Sequence, residues 1–172
     1  MALTLTQEHI DRIQAHAERA YPHEGCGLLV GRFDADTHEK TLVNLVLLDN
    51  AWATAVTADL ASRGHGDSAD MTSKRRYWID PQDLFETQRQ ARADGLVIIG
   101  VYHSHPDAEA VPSSCDRDLA WPTYSYIISS VRHGLAADLQ NWQLDGNHQF
   151  QPEPMKIAPA SAAKDRMPLL SS

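Results

Sequence analysis

The sequence predicts an α/β fold in which a mixed β-sheet is flanked by helices. Apolar runs of strand length, the clearest from Gly95 to Tyr102, alternate along the chain with segments of helical spacing. Helix-start signals precede two of these segments, where a threonine or an Asp-Pro pair can cap the first turn. At 172 residues the chain is long enough for one domain with a substantial core.

The first half of the chain is predicted to form one helix and a pair of strands. Thr6 or Thr4 can cap the helix, which should end before Pro22 because a residue preceding proline is biased away from helix. Gly27 to Arg32 and Thr41 to Leu48 are expected to pair, since a polar turn joins them. The expected inner face of the helix consists of Ile10, Ile13, Ala17 and Ala20.

The second half begins with a helix at Asp80-Pro81, followed by the Gly95 to Tyr102 strand and a short helix near Ser113. The helix at Asp80 is expected to bury Leu84, Phe85, Gln88 and Ala91. Three strands are predicted to complete the sheet: Tyr124 to Val131, Ala137 to Leu144 and Gln149 to Gln151.

Two segments are expected to lie outside this plan. Residues 51–73 are long and polar and are predicted to form a mobile loop inserted in the domain. Residues 152–172 are rich in proline, alanine and serine and are predicted to form a flexible C-terminal tail. The domain is therefore predicted to span residues 1–151.

The most informative segment is His103-Ser104-His105-Pro106. In a strand, residues i and i+2 point to the same face, so His103 and His105 should project together while Ser104 turns away. Their Cα atoms would lie roughly 6.6 Å apart, from about 3.3 Å per residue, and both rings could reach one metal ion. Pro106 cannot continue the ladder, so the strand should end at this pair.

Ser113 and Asp116 follow at the predicted start of the short helix. A spacing of three places their side chains on the same side. Asp116 would supply a third ligand, and a His/His/carboxylate set with an open position for water is typical of catalytic zinc sites. Such a site also needs a base that moves protons, and Glu24 is the candidate.

Other chemistries fit this pattern less well. A nucleobase deaminase would need a Pro-Cys-x-x-Cys pair, whereas Cys26 and Cys115 lie far apart in the sequence. A zincin would carry His-Glu-x-x-His on a helix, and the chain has no such segment. Cys115 is better explained as a reduced thiol packed near the site than as a nucleophile, and the two cysteines could form an oxidisable pair only if they lie close together. Without the other motif residues, His103 and His105 would fit a structural role equally well.

Together these residues resemble the signature of the JAMM (MPN-plus) metalloproteases. The resemblance rests on His103 to Pro106, Ser113 and Asp116, and on the upstream segment Pro22 to Gly31, PHEGCGLLVG. It runs from about Leu3 to about Phe150 and is closest to the compact bacterial members. It implies a single MPN-type α/β domain.

The resemblance also implies a role for each motif residue. His103, His105 and Asp116 would bind one catalytic zinc ion. Glu24 would be the general acid/base, and Ser113 would help to stabilise the tetrahedral oxyanion. The long second insertion of the eukaryotic deubiquitinases, with its extra zinc ligands, has no room, because only seven residues separate Asp116 from Tyr124.

Members of this family hydrolyse the peptide or isopeptide bond after the C-terminal Gly-Gly of ubiquitin-like proteins, and some bacterial members process sulfur-carrier proteins of the same β-grasp shape. The implied partner is such a protein, whose extended tail would lie against a sheet edge. An E1-like activating enzyme could act in the same pathway. The 51–73 loop would either order over that tail or act as a spacer unrelated to turnover. Two alternatives remain open: a non-catalytic scaffold of the same fold, and a zinc hydrolase of small peptides or amino-acid conjugates.

Composition narrows the remaining choices. A net charge of −8 argues against binding to a nucleic acid backbone. The apolar runs are too short to span a membrane, and the first residues do not resemble a signal peptide. Two cysteines do not form a disulfide framework, so a cytoplasmic location is expected.

Overall fold

The computed structural model describes residues 1–51 and 77–159 of the chain. The strands in these residues are β1 (Leu3–Thr6), β2 (Cys26–Phe33), β3 (Lys40–Leu48), β4 (Val97–Pro106), β5 (Ser125–Arg132), β6 (Leu135–Leu144), β7 (Phe150–Pro152) and β8 (Met155–Ala158). The helices are α1 (Gln7–Ala20), α2 (Pro81–Ala93) and α3 (Ser114–Asp118).

All the described strands belong to one mixed sheet with the order β7-β6-β5-β4-β2-β3-β1-β8. β4 pairs antiparallel with β2 and parallel with β5, so it lies between two other strands. β1 runs parallel to both β3 and β8, and the remaining pairs are antiparallel. The predicted mixed sheet is therefore confirmed, and the edge strands among the described residues are β7 and β8.

The sheet is covered on both faces. α1 buries Ile13 and Ala17 in a core cluster that also contains Tyr102 of β4. α2 buries Ala91 in a second cluster with residues of β2, β4 and β5. Two positions of the predicted α2 face were wrong: Phe85 is 64% exposed and Gln88 is also exposed, and the buried positions of the helix are Thr87 and Ala91.

The predicted helix starts are confirmed by hydrogen bonds at the caps. Thr6 caps α1 by accepting from the backbone N–H of His9, whose ring in turn accepts from the backbone of Thr6. Asp80 caps α2 by accepting from the backbone N–H of Gln82 at 2.8 Å. These bonds satisfy N–H groups that a helix leaves without intrahelical partners.

The C-terminal segment differs from the prediction. Residues 152–172 were expected to form a flexible tail, yet β8 pairs with all four residues of β1 in parallel register. The ordered domain thus extends beyond residue 151 to Ala158, because a short strand gains backbone partners at the sheet edge. Residues 160–172 lie outside the described part of the chain.

A buried ion pair ties this segment to the sheet. Lys40 Nζ lies 3.1 Å from Glu153 Oε1, and both side chains are 1% exposed. Ser125 and Asn141 donate to the other carboxylate oxygen of Glu153, at 2.5 and 2.9 Å. Each buried charge in this pair is therefore balanced by a partner of opposite charge and by hydrogen bonds.

Almost all of the predicted 51–73 loop lies outside the described residues. Within the described residues, no helix is long and apolar enough to cross a membrane.

Candidate metal centre

Three side chains converge at the end of β4. Nε2 of His103 and Nε2 of His105 lie 3.1 Å apart. Asp116 Oδ1 lies 3.2 Å from Nε2 of His103, and its Oδ2 lies 3.4 Å from Nε2 of His105. Among the described residues this is the one cluster of histidine, cysteine and acidic groups able to hold a metal ion. We call it the triad.

Two elements place the triad. His103 and His105 project from the same face of β4, as the strand periodicity predicted, and the strand ends at Pro106. Asp116 lies in the first turn of α3, where Ser113 is the N-cap. All three triad residues are buried.

Burial and charge act in opposite directions on the triad. Burial raises the pKa of the Asp116 carboxyl, but His103 and His105 outweigh it, so that this pKa lies well below its usual range. Burial lowers the pKa of His103, and the nearby Asp116 offsets this only in part. Burial also lowers the pKa of His105, but hydrogen bonds to Asp116 and to the Glu109 carbonyl raise this pKa by more, so the net change is upward. The Asp116 carboxylate is therefore ionised at neutral pH.

Neighbouring groups orient the two imidazoles. Nδ1 of His105 lies 2.8 Å from the carbonyl oxygen of Glu109, an acceptor that favours a proton on Nδ1, so that in the neutral ring the lone pair is on Nε2, which faces the triad. His103 is stacked against Tyr77, with ring centroids 4.5 Å apart. Nδ1 of His103 is buried and has no hydrogen-bond partner among the described residues.

Ser113 is hydrogen-bonded to Asp116 of the triad. Its Oγ donates to Oδ2 of Asp116 at 2.8 Å and accepts from the backbone N–H of Asp116 at 3.1 Å. The backbone N–H of Ser113 also donates to Oδ2, at 2.7 Å. Ser113 thus fixes the carboxylate of Asp116, and Ser113 as a whole is an exposed residue.

Glu24 is buried just before β2, at 4% exposure. Cys26 of β2 is paired with His103 of β4, which brings the start of β2 to the same end of the sheet as the triad. Asn50 donates from Nδ2 to the carbonyl oxygen of Glu24 at 3.0 Å. The structure also places Glu24 on the wall of a cavity of about 450 Å³, together with His16, Arg19, Ala20, His23, Gly25, Leu48, Asp49 and Asn50.

The cysteines do not form a catalytic arrangement. Cys26 is buried, and burial raises the pKa of its thiol to about 12, so the thiol is protonated at neutral pH. Cys115 is half-buried in the first turn of α3, and neither cysteine is in a disulfide.

The sequence did not indicate two of the contacts that shape the triad. Tyr77 lies far from the motif along the chain, and an isolated tyrosine carries no signal for stacking on His103. The Glu109 contact uses a backbone carbonyl, which any residue at that position would provide.

The fold and the triad define the class of protein. A family model described as prokaryotic homologs of the JAB domain matches residues 6–145. The chain belongs to this family of JAB/MPN domains, which confirms both the resemblance to the JAMM (MPN-plus) proteins and the predicted fold class. The matched residues include Glu24 and the triad.

Three individual proteins of known name are similar to this chain. A desampylase from Haloferax volcanii is 32% identical over 134 residues, which cover 74% of this chain and 80% of that protein. A probable TtuB-protein conjugate cleaving protease from Thermus thermophilus is 27% identical over 113 residues, 65% of this chain and 60% of that protein. A CysO-cysteine peptidase from Mycobacterium tuberculosis is 24% identical over 147 residues, 83% of this chain and 82% of that protein.

Two solved structures have a fold similar to that of this chain. The solution structure of a Desulfitobacterium hafniense protein is similar with a TM-score of 0.68 and 26% identity, covering 91% of this chain and 92% of that one. A Salinibacter ruber protein gives a TM-score of 0.62 and 31% identity, covering 93% of this chain and 92% of that one.

Proposed function

We propose that this protein is a zinc-dependent peptidase or isopeptidase that cleaves the bond after the C-terminal Gly-Gly of a ubiquitin-like or sulfur-carrier protein. The observation that carries the proposal is the convergence of His103, His105 and Asp116 at the end of the sheet where Glu24 is buried. The family match and the names of the relatives supply the reaction class.

The spacing of the triad fits a zinc ion. Ligand atoms placed tetrahedrally at zinc–ligand distances of 2.0–2.1 Å are about 3.3 Å apart. The two Nε2 atoms lie 3.1 Å apart, and the Asp116 carboxylate approaches each imidazole with a different oxygen, Oδ1 at 3.2 Å from His103 and Oδ2 at 3.4 Å from His105. One ligand atom from each of the three residues lies within 4.8 Å of the other two. Two imidazole nitrogens and one carboxylate oxygen are also a donor set typical of catalytic zinc, with a fourth position left for water or substrate.

Each motif residue then has a chemical task. A bound zinc ion would supply Lewis-acid polarisation of the scissile carbonyl and of the attacking water. Glu24 accepts a proton from that water and returns it to the departing amine. His103, His105 and Asp116 would hold the ion, and the hydrogen bonds from Ser113 keep Asp116 in place.

Ser113 has a second task in this proposal. Ser113 is an exposed residue, although its hydroxyl proton is directed at Asp116 Oδ2 in the structure. During the reaction the hydroxyl rotates and donates to the oxyanion that forms at the glycine carbonyl. The backbone N–H of Ser113 continues to hold Oδ2 of Asp116.

The substrate class follows from the relatives. The Thermus thermophilus protein is named as a protease that cleaves TtuB conjugates, and the Mycobacterium tuberculosis protein as a CysO-cysteine peptidase. We propose that this chain likewise acts on a small carrier protein of β-grasp shape with a Gly-Gly tail. The tail cannot pair with β4 between Gly100 and His103, because β2 and β5 occupy both of its sides there.

Cleavage of defined fusions tests this function. The zinc-loaded protein is incubated with β-grasp proteins fused after Gly-Gly to a reporter, and with matched fusions in which Gly-Gly is changed to Ala-Ala. We expect products that end in Gly-Gly, identified by mass, and loss of cleavage in the presence of a chelator. Equal cleavage of both fusions would contradict the Gly-Gly specificity. An absence of cleavage of every fusion and of short Gly-Gly peptides would favour a non-catalytic scaffold.

A further inference from the structure

The Glu24–Gly25 segment is fastened to the metal-site strand through Ser104. The backbone N–H of Ser104 donates to the carbonyl oxygen of Gly25 at 3.0 Å. The backbone N–H of Gly25 donates in return to Oγ of Ser104 at 2.7 Å. Ser104 is fully buried and therefore bonds both peptide groups of Gly25, one of which is the peptide group joining it to Glu24.

Further polar groups lie near Ser104 on the face of the sheet covered by α1. Tyr102, two residues earlier on β4, is also fully buried, and the Ser104 side chain partly offsets the increase that burial causes in the pKa of Tyr102. The Tyr102 hydroxyl lies 3.1 Å from Nδ1 of His16 on α1.

The polar groups of Gly25, Ser104, Tyr102 and His16 can form one chain of hydrogen bonds in which each group donates to the next. Ser104 Oγ accepts from Gly25 and can donate its own proton to the Tyr102 oxygen. Tyr102 then donates to Nδ1 of a neutral His16. Burial and the nearby Arg19 both lower the pKa of His16, which favours this neutral form.

We propose that Ser104, supported by Tyr102 and His16, is the positioning residue for Glu24. The inference rests on the proposed function, since the position of Glu24 matters for turnover only if Glu24 transfers protons. The accepting atom of a general base must lie within about 2.6–3.2 Å of the atom that carries the proton. A displacement of about 1 Å can cost 10²-fold in rate, so a fixed Gly25 peptide would directly affect catalysis.

Gly25 itself is part of this arrangement. A Cβ atom at position 25 would lie 2.9 Å from the Tyr102 hydroxyl and 3.3 Å from Nδ1 of His16. Those two groups are held by their mutual hydrogen bond, so any side chain at position 25 would displace the chain that holds the peptide. The close approach explains why glycine follows Glu24 here.

The sheet provides a matched control for Ser104. Ser129 is the partner of Ser104 in the parallel register between β4 and β5, and it is also fully buried. Its Oγ has no hydrogen-bond partner among the described residues. Serine-to-alanine changes at the two positions therefore remove the same atom from neighbouring buried sites, but only one removes a bond to the Glu24–Gly25 segment.

The test compares Ser104→Ala, Ser129→Ala, Ser104→Thr, Tyr102→Phe and Glu24→Gln on one cleavable Gly-Gly fusion, with kcat, KM and bound zinc measured for each. We expect Ser104→Ala to lower kcat by about 10- to 100-fold, with KM and zinc content unchanged. Ser129→Ala should match the wild type, and Ser104→Thr, which keeps the hydroxyl, should recover most of the loss. Tyr102→Phe keeps the ring and should give a smaller loss of kcat.

Each contrary result has a distinct meaning. Wild-type kcat in Ser104→Ala, or an equal loss in Ser129→Ala, would overturn the positioning role while leaving the proposed function intact. If Ser104→Ala does not fold, wild-type kcat in Tyr102→Phe would overturn the proposed hydrogen-bond chain. Wild-type turnover in Glu24→Gln would overturn the proposed function and this inference together.

Discussion

Asp116 Oδ1 lies 3.2 Å from Nε2 of His103, although the aspartate belongs to a five-residue helix and the histidine to a central strand. The contact depends on local features that the sequence encodes. Pro106 is the last residue of β4, and Ser113 caps α3 so that Asp116 lies in its first turn. The triad is therefore built by a strand end and a helix start that meet across one loop.

Loss of one imidazole should remove the metal. His105→Ala leaves two ligand residues where three converge, so zinc affinity should fall by more than the roughly 10- to 100-fold that loss of a supporting residue costs. Bound zinc per purified chain should therefore fall well below that of the wild type. Elemental analysis of the purified protein measures this directly. His133→Asn is the control, because His133 is exposed and has a φ of 51°, a conformation that asparagine tolerates. Full zinc content in His105→Ala would exclude His105 as a ligand.

Ser113→Ala tests the two tasks assigned to this residue. The variant loses the hydroxyl that caps α3 and bonds Asp116, but it keeps the backbone N–H that donates to Oδ2. We expect zinc to remain bound, kcat to fall by about 10²-fold as for other oxyanion donors, and the free energy of unfolding to fall by about 1 kcal/mol through loss of the cap. Ser114→Ala, at the adjacent exposed serine, should change none of these.

Cys115→Ser separates metal-dependent from thiol-dependent hydrolysis. Cys115 is not among the residues that converge on the metal site, and a serine preserves the size of its side chain. Turnover should stay within about twofold of the wild type, whereas a nucleophilic cysteine would lose essentially all activity. Thiol labelling of the native protein should modify Cys115 and spare the buried Cys26.

The buried ion pair predicts how the C-terminal strand is held. Glu153→Gln leaves the Lys40 ammonium buried without a counter-charge, so the free energy of unfolding should fall by about 3–5 kcal/mol. Urea denaturation measures the change. Glu39→Gln is the comparison, because Glu39 pairs with Lys156 at the surface and exposed pairs contribute little. A similar small loss in both variants would show that the buried pair is not specifically stabilising.

Local patterns were sufficient to predict the centre of the fold. The apolar runs predicted β2, β3, β4 and β5, and the capping residues Thr6, Asp80 and Ser113 predicted the starts of the three helices. Strand periodicity also predicted that His103 and His105 share a face and that Ser104 faces the other way, where it bonds Gly25. These features depend on residues close together in the sequence.

Features that depend on distant partners were missed. β1 and β8 have four residues each, too few to show a reliable period, and they are stabilised by pairing with one another across the length of the domain. Glu153 lies in a proline-containing stretch and gave no sign that it would meet Lys40 in the core. Phe85 was placed inward on helical spacing, but the sheet covers the face of α2 that carries Thr87 and Ala91.

The most direct test of the proposed mechanism is a comparison of the wild type with Glu24→Gln, measuring both bound zinc and turnover of a Gly-Gly fusion. Glutamine has nearly the same shape as glutamate but cannot accept and return the proton. We predict about one zinc ion per chain in both proteins, with turnover nearly abolished in Glu24→Gln and abolished in the wild type by a chelator. Full turnover in the zinc-loaded Glu24→Gln protein, or turnover that persists in the wild type after its zinc is removed, would contradict the proposal.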